Sequence, residues 1–227
     1  MERLHLSRGE SFVLSKEAGL QRLRINLEWH SAVDLDAVAF CLTDEGIIAA
    51  DYDFVYYKSN HRAPMQTPGE TDTRYLDRIS PEPYDRARYG AKANWLRNTV
   101  PLSTDGSVTG SADDSGKGVS GHTSGETMHV DLSKVRPEIT SIIFCVTVYN
   151  VKGKEKKSFR DVPEASVTVY NADSGEKLGR YVIAEENKSG DAMIVAGVRL
   201  SRDGEWEFAA IGDSYDGGLQ TLVDMHV

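Results

Sequence analysis

Two aspartates separated by one leucine, Asp34-Leu35-Asp36, stand at the start of an apolar run. In an extended chain side chains alternate between faces, so both carboxylates fall on one side with the leucine opposite. Carboxylates so placed repel, and either solvent screens the repulsion or a cation relieves it. A second oxygen-rich stretch, 110–126, reads Gly-Ser-Ala-Asp113-Asp114-Ser115-Gly-Lys-Gly-Val-Ser-Gly-His-Thr-Ser124-Gly-Glu126. Its glycines let backbone carbonyls turn toward a point. Its Asp, Ser and Glu oxygens are the hard donors that Ca2+ takes, about six to eight at a time, in flexible geometry. The same composition also suits a surface loop without a ligand.

Competing motifs fail residue by residue. An EF-hand counted from Asp113 puts Lys117 at the fifth ligand place and Ser124 at the last, where a bidentate Glu is needed. Gly110 to Lys117 is one residue too long for a phosphate-binding P-loop and is followed by Gly118. Gly212-Asp-Ser214-Tyr-Asp216 lacks the second glycine of a nucleophile elbow. The six histidines show no zinc spacing. His129 alternates within a strand and reads as surface or rim. Cys41 and Cys145, the only cysteines, sit in apolar runs and read as buried free thiols, with a disulfide between neighbouring strands as the alternative.

The net charge of −9 disfavours nucleic acid as a partner, because phosphate binding needs a basic footprint, and suits a cation. The first twenty residues carry no long apolar run behind a basic start, and no stretch approaches a membrane span, so a cytoplasmic protein is expected.

The elements that must position these residues are strands. Gln21 to Trp29 alternates, with Leu23, Ile25, Leu27 and Trp29 on one face and Arg22, Arg24, Asn26 and Glu28 on the other. The same period recurs in 11–15, 36–42, 53–57, 127–132, 140–150, 166–171, 178–183, 192–200 and 205–211. Asp44-Glu45-Gly46, Asp173-Ser174-Gly175 and Asp203-Gly204 supply turn chemistry between them. Many short strands between tight turns predict an all-β fold, a two-sheet antiparallel β-sandwich spanning 1–227 as one domain. Trp29, Trp206 and Phe208 lie on alternating strands and read as packing. Leu219, Leu222, Val223 and Met225 follow Gly217-Gly218 at roughly helical spacing and predict a short C-terminal helix.

One segment, 61–104, departs from this pattern and reads as an insertion. It holds five of the seven prolines and carries seven Lys and Arg against five Asp and Glu, net +2, leaving −11 for the remainder. Ser80-Pro81 is a candidate start for a short helix running to Tyr89. So long a connection tends to be functional or mobile.

Several of these pieces together resemble the TerD family. Leu6 to Ala18 is similar to its opening strand, and Val33-Asp34-Leu35-Asp36-Ala37 to its D-L-D-A signature. Asp53 to Asn60 resembles its D-F-x-x-Y-x-N segment, and Val130 to Val135 the strand after its acidic loop. Gly204-Glu205-Trp206-Glu207-Phe208, Ala210-Ile211-Gly212 and Tyr215-Asp216-Gly217-Gly218-Leu219 are similar to its G-E-W-x-F, A-I-G and Y-x-G-G-L elements. The resemblance implies a β-sandwich whose acidic loops bind calcium, in proteins of tellurite and stress resistance and of membrane-associated stress complexes. It implies no enzymatic activity. The ligand positions it carries over are Asp34, Asp36, Asn60, Asp113, Asp114, Glu126 and Asn150, with Glu186 in a late acidic turn. This chain departs from the pattern at Ser115, at Ser124-Gly125 and at neutral Asn150, which lowers the ligand charge and with it the expected affinity of one of two sites. The 61–104 insertion has no counterpart in the pattern, and its Arg, Tyr and Trp content suits a partner surface.

The expectation is therefore a non-catalytic Ca2+-binding protein whose ordered acidic loops present a surface to protein partners. Two rivals use the same carboxylates: a metal-dependent hydrolase, and a module that docks on membranes when calcium is bound.

Overall fold

The computed structural model describes residues 5–15, 19–31, 33–111, 124–162, 165–183 and 189–227. The strands are β1 (Ser11–Leu14), β2 (Arg22–Trp29), β3 (Leu35–Leu42), β4 (Phe54–Val55), β5 (Arg62–Pro64), β6 (Thr99–Pro101) and β7 (Val108–Thr109). They continue with β8 (Ser124–Asp131), β9 (Ser141–Val148), β10 (Ala165–Asn171), β11 (Lys177–Val182), β12 (Ala192–Leu200) and β13 (Trp206–Tyr215). The helices are α1 (Asp72–Arg78), α2 (Arg86–Tyr89), α3 (Lys92–Asn98) and α4 (Leu219–His226).

Two antiparallel sheets face each other, ordered β1-β13-β12-β9-β3-β4 and β11-β10-β2-β8-β7, with β5 and β6 as a separate hairpin. The expected sandwich and its C-terminal helix are therefore present. Period-2 alternation explains the main core. Leu23, Ile25, Leu27 and Trp29 of β2 point inward and meet Leu35, Ala39, Phe144 and Phe208 from the opposite sheet. Trp29 also donates its indole N–H to the Val33 carbonyl at 2.9 Å, which holds the β2–β3 turn closed.

β3 is apolar on both faces because both are covered. Leu35, Ala37, Ala39 and Cys41 face the inter-sheet core, while Val38, Phe40 and Leu42 meet Cys145, Ile194 and Leu222 on the outer side. The helical spacing of Leu219, Leu222 and Val223 lays α4 on that outer face. Met225, grouped with them in the sequence reading, is exposed. Cys41 and Cys145 are free and buried, and they lie on opposite faces of the same sheet, which rules out a bond between them.

The helix expected from Ser80-Pro81 to Tyr89 does not form. Each proline disfavours helical backbone at the residue before it, so Pro81 and Pro83 hold Ser80 and Glu82 out of the helix. The Glu82 N–H is also committed to the Arg62 carbonyl. α2 starts only at Arg86, capped by Asp85, whose side chain accepts from the Ala87 N–H. α1 and α3 flank this stretch and escaped the sequence reading, since seven residues are too few to establish a helical period. Arg62 ties the segment together from within. Its buried guanidinium donates to the carbonyls of Tyr57, Ser59, Leu96 and Thr99 and to Thr99 Oγ1.

α1 then docks on the outer face of the five-stranded sheet. Asp72 meets Arg24 and His129, Asp77 meets Arg22, and Lys134 donates to the Leu76 carbonyl. His129, read as a surface or rim residue, is thus buried, because the polar side of β8 faces α1 rather than water.

Candidate cation site

Antiparallel pairing brings distant residues to one end of the sandwich. Leu35 of β3 lies opposite Val148 of β9, and Ala192 of β12 lies between Thr147 of β9 and Tyr215 of β13. Backbone hydrogen bonds extend this line past the strand ends: Tyr149 N–H to Asp34 O at 2.9 Å, Val148 N–H to Asp191 O at 2.9 Å, and Asp191 N–H to Tyr215 O at 3.0 Å. Asp34, Asp36, Asn150 and Asp191 therefore stand at the same end.

Asp34 and Asp36 are half-buried, and alternation puts both carboxylates on the outer face of β3 with Leu35 turned inward. Glu126 approaches the same strand from the other sheet. It lies on the inner face of β8 with Met128 and Val130, and its carboxylate accepts the Ala37 N–H. That N–H points to the side on which β4 pairs only from Ala39 onward, so a carboxylate takes the place of a missing strand partner. The two sheets are thereby joined at the end that carries the D-L-D pair.

The other described candidates have partners that bear on their roles. Asn150 uses its amide as a loop clamp: Oδ1 accepts from Lys157 N–H at 2.7 Å, and Nδ2 donates to the Lys157 carbonyl at 3.0 Å. Asn60 lies beyond β4, which runs antiparallel to β3 and leads back toward Asp36; its Oδ1 accepts from Lys92 Nζ at 2.7 Å. Asp113, Asp114 and Glu186 fall outside the described residues. Among the described residues no group of three or more His, Cys, Asp or Glu side chains is arranged to hold a metal ion.

Asp191 was missed from the sequence. It follows Gly190 at the start of β12, a position that looks like any solvated strand end, and the distant groups it meets leave no local signal. Its Oδ1 accepts the N–H groups of Gly217 and Gly218 at 2.8 and 2.9 Å, just before α4. Its Oδ2 lies 3.1 Å from Lys156 Nζ and 3.4 Å from Asn150 Nδ2. Burial pushes this carboxyl upward, and the Lys156 ammonium with the two glycine N–H groups outweighs it, holding Asp191 below the usual aspartate range.

The donors at this end are hard oxygens, the chemistry that suits a Ca2+-like cation rather than a soft metal. Two surface clefts of about 500 and 550 Å3 lie elsewhere, the first beside Phe12 and Leu178 and the second between Arg24, Gln66 and Asp173. Among the described residues no helix is long and apolar enough to cross a membrane.

Comparison with known proteins agrees with the architecture. The TerD domain family matches residues 3–74 and 98–226, leaving 75–97 unmatched. The chain is 27% identical over 224 residues to tellurium resistance protein TerD of Serratia marcescens, covering 96% of this chain and 93% of that protein. It is 27% identical over 230 residues to general stress protein 16U of Bacillus subtilis (strain 168), covering 96% and 94%. A solved homologue of telluride resistance protein (TerD) from Streptomyces coelicolor A3(2) superposes with a TM-score of 0.50 at 17% identity, over 89% of this chain and 94% of the other.

Proposed function

The chain belongs to the TerD domain family, and from that premise we propose that it is a non-catalytic calcium-binding protein of tellurium and general stress resistance, acting in the cytoplasm. One observation carries the calcium reading. Asp34 and Asp36 share one face at the start of β3, and Glu126 of the other sheet accepts the N–H of Ala37 on the same strand, so three acidic side chains belong to one strand end. Asp34, Asp36 and Glu126 do not by themselves form a metal-holding group, and in this reading Asp113, Asp114 and Glu186 supply the further oxygen donors. Asn60 and Asn150 serve this reading as supports, since their amide oxygens accept from Lys92 and Lys157.

Neutralising these carboxylates orders the acidic loops, and the ordered loops form the surface that protein partners of a stress-resistance complex meet. Binding is then linked to folding, and free Ca2+ at about a hundred times its Kd adds about 2.7 kcal/mol of stability. The test is thermal unfolding of the full chain in Ca2+ and in chelator. The melting temperature is expected to rise with Ca2+, and Asp36→Asn to remove most of the rise. A wild-type curve that is identical in the two conditions overturns the reading.

A further inference from the structure

Large apolar side chains are exposed in groups at the two opposite ends of the β3–β9 pair. The two strands run side by side from Leu35 opposite Val148 to Leu42 opposite Ser141, so about 25 Å separates the ends. Ile47, Tyr52 and Met225 are exposed beyond the Leu42 end, and Tyr149 and Val151 beyond the Leu35 end. A single exposed apolar residue is ordinary, whereas a group of them marks a contact surface.

The Leu42 end is held in shape. Its turn 43–47 closes with Thr43 N–H donating to the Ile47 carbonyl at 2.9 Å. The turn is clamped on the last residues of α4: Ile48 N–H donates to the His226 carbonyl, and His226 Nδ1 to the Gly46 carbonyl, both at 2.9 Å. Ile47 and Met225 each neighbour a residue of this clamp. Asp44, Glu45, Asp51 and Asp224 belong to the same end, all exposed, and none of them forms an ion pair among the described residues.

The Leu35 end presents the opposite sign. Its turn closes with Lys154 N–H donating to the Val151 carbonyl at 3.1 Å, and the Asn150 amide fixes its base on Lys157. Lys152 and Lys154 are exposed and form no ion pair among the described residues. The acids nearby are engaged or half-buried: Glu155 takes Lys157 at 2.9 Å, Asp191 takes Lys156 at 3.1 Å, and Asp34 and Asp36 are half-buried.

We propose that the basic turn 151–154 of one copy of this chain docks on the acidic turn 43–47 of the next, so that chains associate head to tail. Lys152 and Lys154 would face Asp44 and Glu45, while Tyr149 and Val151 would cover Ile47 and Met225. Opposite charge sets the direction of the contact, because two like ends repel. The two patches belong to one rigid strand pair and cannot meet within a chain. A contact between two different patches leaves one of each free, so association continues beyond the dimer. The inference needs no bound ion and stands apart from the calcium reading.

The experiment is analytical ultracentrifugation of the full chain over a range of concentrations. The average mass of wild type is expected to climb past that of a dimer, and added salt to lower it. One variant combines Asp44→Lys with Glu45→Lys, and a second combines Lys152→Glu with Lys154→Glu. Each alone is expected to weaken association at least about tenfold. Mixed in equal amounts the two should associate again, because each offers the other its intact patch. A wild type that stays monomeric at every concentration overturns the proposal, as does a mass that stops at the dimer or a loss confined to one of the variants. Equal melting temperatures of the three proteins establish that the fold is intact.

Discussion

His129 Nε2 lies 3.1 Å from Asp72 Oδ1 with both side chains buried, so the segment 61–104 is fastened to the sandwich by the first residue of its first helix. Asp72 also receives Arg24 Nη1 on its second oxygen and Gln66 Nε2 on its first. Removing one member of a buried pair leaves the others uncompensated. Asp72→Ala is expected to destabilise the protein by about 3 kcal/mol or more in urea unfolding. A loss near zero would show that α1 is held by other contacts.

The same residue sets a pH dependence. Burial raises the Asp72 pKa, but the hydrogen bonds from His129 and Gln66 and the charges of His129 and Arg24 bring it below the ordinary 3.8. A carboxyl lowered in the folded state contributes stability that is present above the unfolded value and lost as pH falls through the folded one. The urea midpoint of wild type is therefore expected to fall below about pH 4, and that of Asp72→Asn to fall less steeply over the same range. Parallel curves for the two proteins would remove Asp72 from the account of acid sensitivity.

Glu126 supplies the acceptor for the buried Ala37 N–H, and its removal orphans that group. Glu126→Ala should cost about 1–3 kcal/mol in chelator, whereas Glu126→Gln keeps an acceptor in place and should cost less. Equal losses for the two variants would mean that charge rather than the hydrogen bond matters at this position.

Arg62 donates to four carbonyls and a hydroxyl between Tyr57 and Thr99, a fan of donors that the single ammonium of lysine cannot reproduce. Arg62→Lys is expected to speed amide exchange across 62–101 at least tenfold while the sandwich strands keep their protection. Uniform loss of protection through the whole chain would instead make this segment part of a single cooperative unit with the sandwich.

Burial raises the pKa of both thiols, and for Cys41 the nearby Asp105 and Asp53 add to the effect. Cys41 and Cys145 should therefore resist a thiol-specific chromogenic reagent in the native protein and both react in denaturant. Rapid native reaction of either would contradict their place in the packed sheet, and a disulfide under oxidation would contradict the opposite faces they occupy.

The amino-acid sequence alone determined the longer strands, because a period of two needs only local alternation to be visible, and 21–29 and 192–200 show it without help from neighbours, whereas the two- and three-residue strands β5, β6 and β7 are too short to show it. It also identified Asp34 and Asp36 as an unusual pair, since their spacing is a local fact. Tertiary structure alone decided what covers each face and who meets whom. Arg22, Arg24 and His129 look the same in sequence whether they face water or the polar side of α1, and only docking buried His129 and partly covered the two arginines. Asp191 stands with Asp34 and Asp36 because strand register brings residues 34, 150, 191 and 217 to one end across long separations, and no local pattern of residues encodes that proximity.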